Sequence, residues 1–116
     1  MPRKIWFPNI YGMYQADIPQ DLLSVANRLP HGMHYGTWFI EKSQRMVRFT
    51  NDFTGRHENG NPGCRMGFTI SIPWYQGYLM MGDLHIKLYR ENACEHCFHG
   101  VEAFLWSELG KSLAGG

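Results

Sequence analysis

The sequence predicts an α+β fold: one domain spanning 1–116, with an antiparallel sheet of about four to five strands packed by an N-terminal and a C-terminal helix. Three observations point there. Helical apolar spacing occurs only near the two ends of the chain, and between them lie closely spaced runs with strand-like alternation. The chain has 116 residues, 44% of them hydrophobic and 18% charged, which is enough apolar material for one core without staples.

The first element is ADIPQDLLSVANRLP. Asp17 is placed to cap, Pro19 suits a first turn, and Leu22, Leu23, Val25, Ala26 and Leu29 supply an apolar side before Pro30 and Gly32 stop the helix. HYGTWFIEK and QRMVRFTN follow as a hairpin turning at Lys42 to Gln44. Their alternation puts Trp38 and Ile40 on one face and Tyr35 and Phe39 on the other, so either helices cover both faces or an aromatic face stays open.

A Gly- and Asn-rich loop is expected over about 51–66, a length that marks either mobility or function. FTISI is an alternating strand with Phe68, Ile70 and Ile72 on one face, ended or placed at an edge by Pro73. In YLMMGDLHIKLYR, Gly82-Asp83 reads as a two-residue hairpin turn. Leu79, Met81, Leu84, Ile86 and Leu88 then face the core, and Tyr78, Met80, His85, Lys87 and Tyr89 face outward. The last helix is expected to start at Asn92 as N-cap, with Glu95 completing a capping box, and to end at Gly110.

The composition argues against several classes. A formal charge of +1 gives no global field for nucleic acid or an anionic membrane. No apolar run approaches the ~20 residues of a membrane helix, and Pro8, Asn9 and Gly12 interrupt what would be a signal-peptide core. Three cysteines, an odd number, fit a reducing cytoplasm better than a disulfide framework.

The densest chemistry lies in ENACEHCFHG. At 100° per residue, Cys94 and Cys97 share a helical stripe with Phe98, Val101 and Leu105, whereas His96 and His99 fall on the opposite side. The four cannot converge on one ion from a regular helix, so the plain expectation is two small core cysteines and two exposed histidines. A zinc site survives if the helix begins late: Cys94 and Cys97 form the usual Cys-x-x-Cys half-site, Cys64 is the third ligand, and His57, His85 or His99 is the fourth. The strand HIKLY leading into CEHC also resembles the active-site corner of thioredoxin-like disulfide oxidoreductases over about ten residues. That resemblance implies Cys94 as an exposed nucleophile, activated by the helix end, and Cys97 as its resolving partner. The family continues for several strands beyond the motif and sets a cis-proline opposite it; here 19 residues, 98–116, follow Cys97.

Elsewhere the signals are thinner. RHENGNPGC gathers Arg56, His57, Glu58 and Cys64, which makes a Cys–His nucleophile pair conceivable. A loop of this composition yields such neighbours by chance, and no nucleophile elbow, phosphate loop or metalloprotease pattern occurs. His31 and His34 of HGMH have no acidic or thiol partner nearby in sequence. The double glycine of SLAGG resembles conjugated ubiquitin-like tails, but those extend from a strand and this one follows a helix, so 111–116 reads as a frayed end.

These features lean away from an enzyme and toward a protein-binding module. Its expected contact residues are Tyr35, Trp38, Arg56, Tyr78, His85, Lys87 and Tyr89. Compact, motif-poor chains of this size suit a small inhibitor or adaptor, of the phage or mobile-element type that blocks a host defence machine. Two alternatives stand beside it. One is a zinc-stabilised module on Cys64, Cys94 and Cys97, with His99. The other is single-stranded nucleic-acid binding through the aromatic and basic strand face. A membrane partner is not expected.

Overall fold

A computed structural model describes residues 3–27, 33–55 and 64–109, the side chains of 26, 27, 33–35 and 55 excepted. The strands are β1 (Lys4–Trp6), β2 (Met33–Ser43), β3 (Met46–Gly55), β4 (Cys64–Tyr75), β5 (Tyr78–Met80) and β6 (His85–Asn92); the helices are α1 (Gln20–Asn27) and α2 (Glu95–Leu109). All six strands join one antiparallel sheet, one or two more than expected. The strand that sequence reasoning did not foresee is β1, too short to show a period. No helix among the described residues is long and apolar enough to cross a membrane.

β4 is the spine. β3 runs along one of its edges from Cys64 to Pro73, while the other edge is shared end to end by β6, opposite Arg65–Ser71, and β5, opposite Trp74–Tyr75. This arrangement corrects the expected hairpin at Gly82-Asp83. β5 and β6 do not pair with each other; both lie antiparallel to β4, and the 3-10 turn Met81–Asp83 takes three residues out of that line. The tight hairpin is at Gln76-Gly77 instead, where φ is 49° and 88°. Two successive positive φ values give the type I′ twist that suits a two-residue hairpin. Gln76 is a poor advertisement for that conformation, and the Gly-Asp pair downstream is a stronger signal in a place where the chain only bulges.

The alternation itself is kept. Leu79, Met81, Leu84, Ile86 and Leu88 are all buried, as expected, together with Val47, Phe49, Phe68, Ile70 and Ile72. Leu22 and Val25 of α1 and Phe98, Val101 and Leu105 of α2 belong to the same cluster. Full burial of side chains of this size contributes about 1.5–3 kcal/mol each. The opposite sheet face stays open: Phe39 is 56% exposed, and Arg48, His85 and Lys87 are exposed beside it in register. Asp17 does not cap α1; its carboxylate accepts the Tyr14 N–H and closes the 3-10 turn Gln15–Asp17, while Pro19 supplies the carbonyl for the first turn of α1.

One break in regularity organises the β2–β3 ladder. Tyr35 pairs with Phe53 but Trp38 with Asn51, so β2 carries one extra residue at Gly36–Thr37. The fully buried Asn51 fills the gap: its Oδ1 accepts the Gly36 N–H at 3.2 Å and its Nδ2 donates to the Gly36 carbonyl at 3.0 Å. The bulge also breaks the simple alternation expected from Tyr35 to Phe39, since the backbone register sets Tyr35 opposite Phe53 and Phe39 opposite Thr50.

Candidate metal centre

Register brings the three cysteines together. Cys64 opens β4 in the same inward row as Met66 and Phe68. The pairing of Arg65 with Asn92, after a one-residue irregularity, sets the end of β6 beside the start of β4. Two residues past Asn92, Cys94 therefore arrives against Cys64 and immediately precedes the first turn of α2. Cys97 lies one turn further along, buried on the inward side.

The three Sγ atoms lie within 4.8 Å of one another. Cys64 Sγ and Cys94 Sγ are 3.7 Å apart, and none of the three cysteines is in a disulfide. Zinc–sulfur bonds of about 2.3 Å in a tetrahedron put neighbouring sulfurs about 3.8 Å apart, so the Cys64–Cys94 spacing already matches a shared ion. Backbone donors point at the same sulfurs: the Cys94 N–H donates to Cys64 Sγ at 3.3 Å and the Cys97 N–H to Cys94 Sγ at 3.4 Å. Cys94 is thus the N-cap of α2, with sulfur in the role that Ser or Asp usually fills, and the expected cap at Asn92 is displaced by two residues.

The electrostatics split the pair. The Cys97 backbone N–H and side chain, ahead of smaller contributions from Cys64 and the His96 N–H, hold the Cys94 thiol below its ordinary value of 9.0. Burial, and then the neighbouring Cys94 and Cys64 sulfurs, push Cys97 up to about 12. Three crowded sulfurs cannot all ionise unaided; a cation bound among them would supply the charge that allows it.

The histidines stand apart, as helical geometry predicts. His99 is exposed, with Nε2 2.9 Å from Glu95 and Nδ1 3.4 Å from Glu102. His99 is therefore not brought to the sulfurs. His85 pairs with Ser71, seven residues along β4 from Cys64 and on the open face. Arg90 stacks its guanidinium 4.5 Å from the Phe98 ring and bonds Glu95 at 3.0 Å, holding that carboxyl below the usual range and bracing the start of α2.

Of the expected partner-contact residues, Tyr78, His85, Lys87 and Tyr89 share the open face by register, whereas Trp38 turns inward. Trp38 is 5% exposed and packs edge-on against Phe68 at 5.5 Å, so it serves the core and not a surface. Tyr89 lies across Gly67 and donates its hydroxyl to Asp52, which commits its ring to the sheet. Tyr78 is half-buried beneath Trp6, their rings 4.9 Å apart. His85 and Lys87 are exposed. Arg56, His57, Glu58, His31 and the tail 111–116 lie outside the described residues, as does the side chain of Tyr35. Sequence reasoning missed Trp6 and Tyr75, 60% and 62% exposed beside the hairpin; the signal for them was the density of aromatics, in KIWFPNIY around Trp6 and in WYQGY around Tyr75.

No family model matches this chain, and neither a curated protein nor a solved structure matches it. The likeness to the thioredoxin-like corner stops at α2, since no strand follows that helix among the described residues.

Proposed function

We propose that this chain is a small zinc-stabilised binding module in which Cys64, Cys94 and Cys97 hold one zinc(II) ion. The convergence of three sulfurs from the start of β4 and the first turn of α2 carries this reading. The chemistry of the donors fits: all-sulfur sets suit zinc, and the N–H groups of Cys94 and Cys97 are already oriented to stabilise thiolates. The ion would staple the N-terminus of α2 to the central strand, a fixed point for the last helix. This role is favoured over that of a protein-blocking inhibitor or adaptor because its side chains converge, whereas Trp38 and Tyr89 are committed to internal contacts.

The test is the metal content of protein purified without a histidine tag, with thiol titration on the same sample. One zinc per chain with all three thiols protected is expected, and Cys64→Ser should release it. A metal-free protein that also shows no sulfur-to-cobalt charge-transfer band on adding cobalt(II) would refute the assignment.

A further inference from the structure

We infer that the open sheet face binds single-stranded nucleic acid, with Trp6 and Tyr75 as base-stacking platforms and Lys4, Arg48 and Lys87 as phosphate contacts. The placement follows from register. Trp6 and Tyr75 both sit opposite Tyr78, so the three rings share one face at the β4–β5 hairpin. The Trp6 indole covers Gly77, where only glycine leaves it room, and meets Tyr78 edge-on at 4.9 Å. Trp6 and Tyr75 nevertheless remain 60% and 62% exposed. Folding thus props two large rings against the sheet and leaves them unspent.

Cations continue from that patch along the same face. Lys4 pairs with Met80, two residues from Tyr78, and its ammonium stands 4.3 Å from the Tyr78 ring. Arg48, Ser71 and His85 form one cross-strand row, and Lys87 lies in the next, opposite Thr69. Two of the carboxylates on this face are already engaged: Asp52 accepts the Tyr89 hydroxyl, and Glu91 lies 3.4 Å from Arg65. Glu41 stands opposite Arg48 in register and offsets part of its charge. Exposed aromatics at one end and lysine and arginine beyond them form the combination that tracks a single strand, rings for the bases and cations for the backbone. A protein-docking patch has a centre depleted in lysine, whereas Lys4 here borders the aromatic rings themselves. The inference stands independently of the zinc site, which lies on the inward side of the sheet.

Fluorescence anisotropy with labelled oligo(dT), oligo(rU) and a duplex of equal length tests it. Either single strand should bind more tightly than the duplex, and the two arms separate DNA from RNA preference. With three phosphate contacts the log–log salt slope should be about −2, which is about a twentyfold loss between 50 and 200 mM salt. Trp6→Ala and Tyr75→Ala should each weaken binding about tenfold, and Lys87→Glu should weaken it and flatten the slope. If Trp6→Ala does not fold, Tyr75→Ala and Lys87→Glu carry the test, since both side chains project from a formed sheet. No anisotropy change with either single strand at low salt would overturn the inference. So would duplex binding of equal strength, or affinity indifferent to these substitutions. A protein ligand lost in Tyr75→Ala, with no oligonucleotide bound, would reassign the face to protein.

Discussion

Two places in this molecule interrupt the regular ladder and fill the gap with polar side-chain atoms, and they are filled in opposite ways. At Gly36–Thr37 the extra residue of β2 would strand a backbone N–H and a carbonyl. Asn51, one donor and one acceptor on a single amide, takes both and is fully buried. At the junction of β4, β6 and α2, three sulfurs gather within 4.8 Å of one another; Cys64 and Cys94 each accept a backbone N–H, Cys94 is held below its ordinary thiol value, and Cys97 is buried and pushed the other way. The bulge is closed within the chain, since both polar atoms of the amide bond the same residue, Gly36. The sulfur corner gathers ionisable groups that its own atoms do not balance, and that asymmetry supports the proposed metal site there and an architectural role for Asn51.

The contrast is tested most strongly at Asn51. Asn51→Ala removes a buried amide and both of its bonds to Gly36, and should cost about 3 kcal/mol by chemical denaturation. The loss should be the same with and without zinc, because the two sites share no partner. A cost below about 1 kcal/mol would mean that water substitutes for the amide, and the bulge would no longer count as closed from within.

Zinc should act only at the other place. At zinc a hundredfold above its dissociation constant the fold should gain about 2.7 kcal/mol, read as about 10 °C in Tm. Chelation should reverse the gain, and Cys97→Ser should abolish it. A Tm indifferent to zinc would remove the distinction between the two sites.

Gly67 offers a smaller, geometric check on the open face. A Cβ there lands on the Tyr89 phenol and 2.8 Å from the Asn51 carbonyl oxygen. Gly67→Ala should therefore cost about 1–2 kcal/mol, and Tyr89→Phe, which keeps the ring over Gly67, should cost less. Equal costs would mean that the Asp52 hydrogen bond, not the ring over Gly67, holds the tyrosine.

The thiols supply a pH prediction with a definite sign. In metal-free protein iodoacetamide should modify Cys94 first, with a midpoint below 9.0, while buried Cys97 should react only on unfolding. Cys97 keeps its proton to about 12 when folded, whereas the unfolded thiol loses it near 9.0. Its contribution to stability is therefore complete below 9.0 and is lost as pH rises toward 12. With zinc bound the dependence should invert: acid, not alkali, weakens the site, because protons then compete with the metal. The smallest effect belongs to Glu95→Gln, which breaks the contacts to Arg90 and His99 on an exposed turn; its Tm change should fall below that of Gly67→Ala.

How much was legible varied with the kind of signal. The inward rows of β4 and β6 could be read because alternate apolar residues leave a pattern in the chain itself. Wheel geometry separated His96 and His99 from the cysteines on the same grounds. The tight turn was misplaced because Gly82-Asp83 and Gln76-Gly77 both permit reversal, and which one pairs two strands depends on where β4 lies. Trp38 and Tyr89 were read as surface residues because alternation gives the face of a side chain but not what covers it; a neighbouring phenylalanine buries one, and a glycine across the ladder lets the other lie down.

By itself, then, the sequence determined the α+β class, the composition of the core rows and the two cysteines at the head of the last helix, all properties of residues near one another in the chain. Tertiary structure decided that β5 and β6 share one edge of β4, that Asn51 closes a bulge, and that Cys64 arrives beside Cys94 across 30 residues of separation. Those outcomes depend on register, set by the simultaneous burial of many side chains and not by any local pattern.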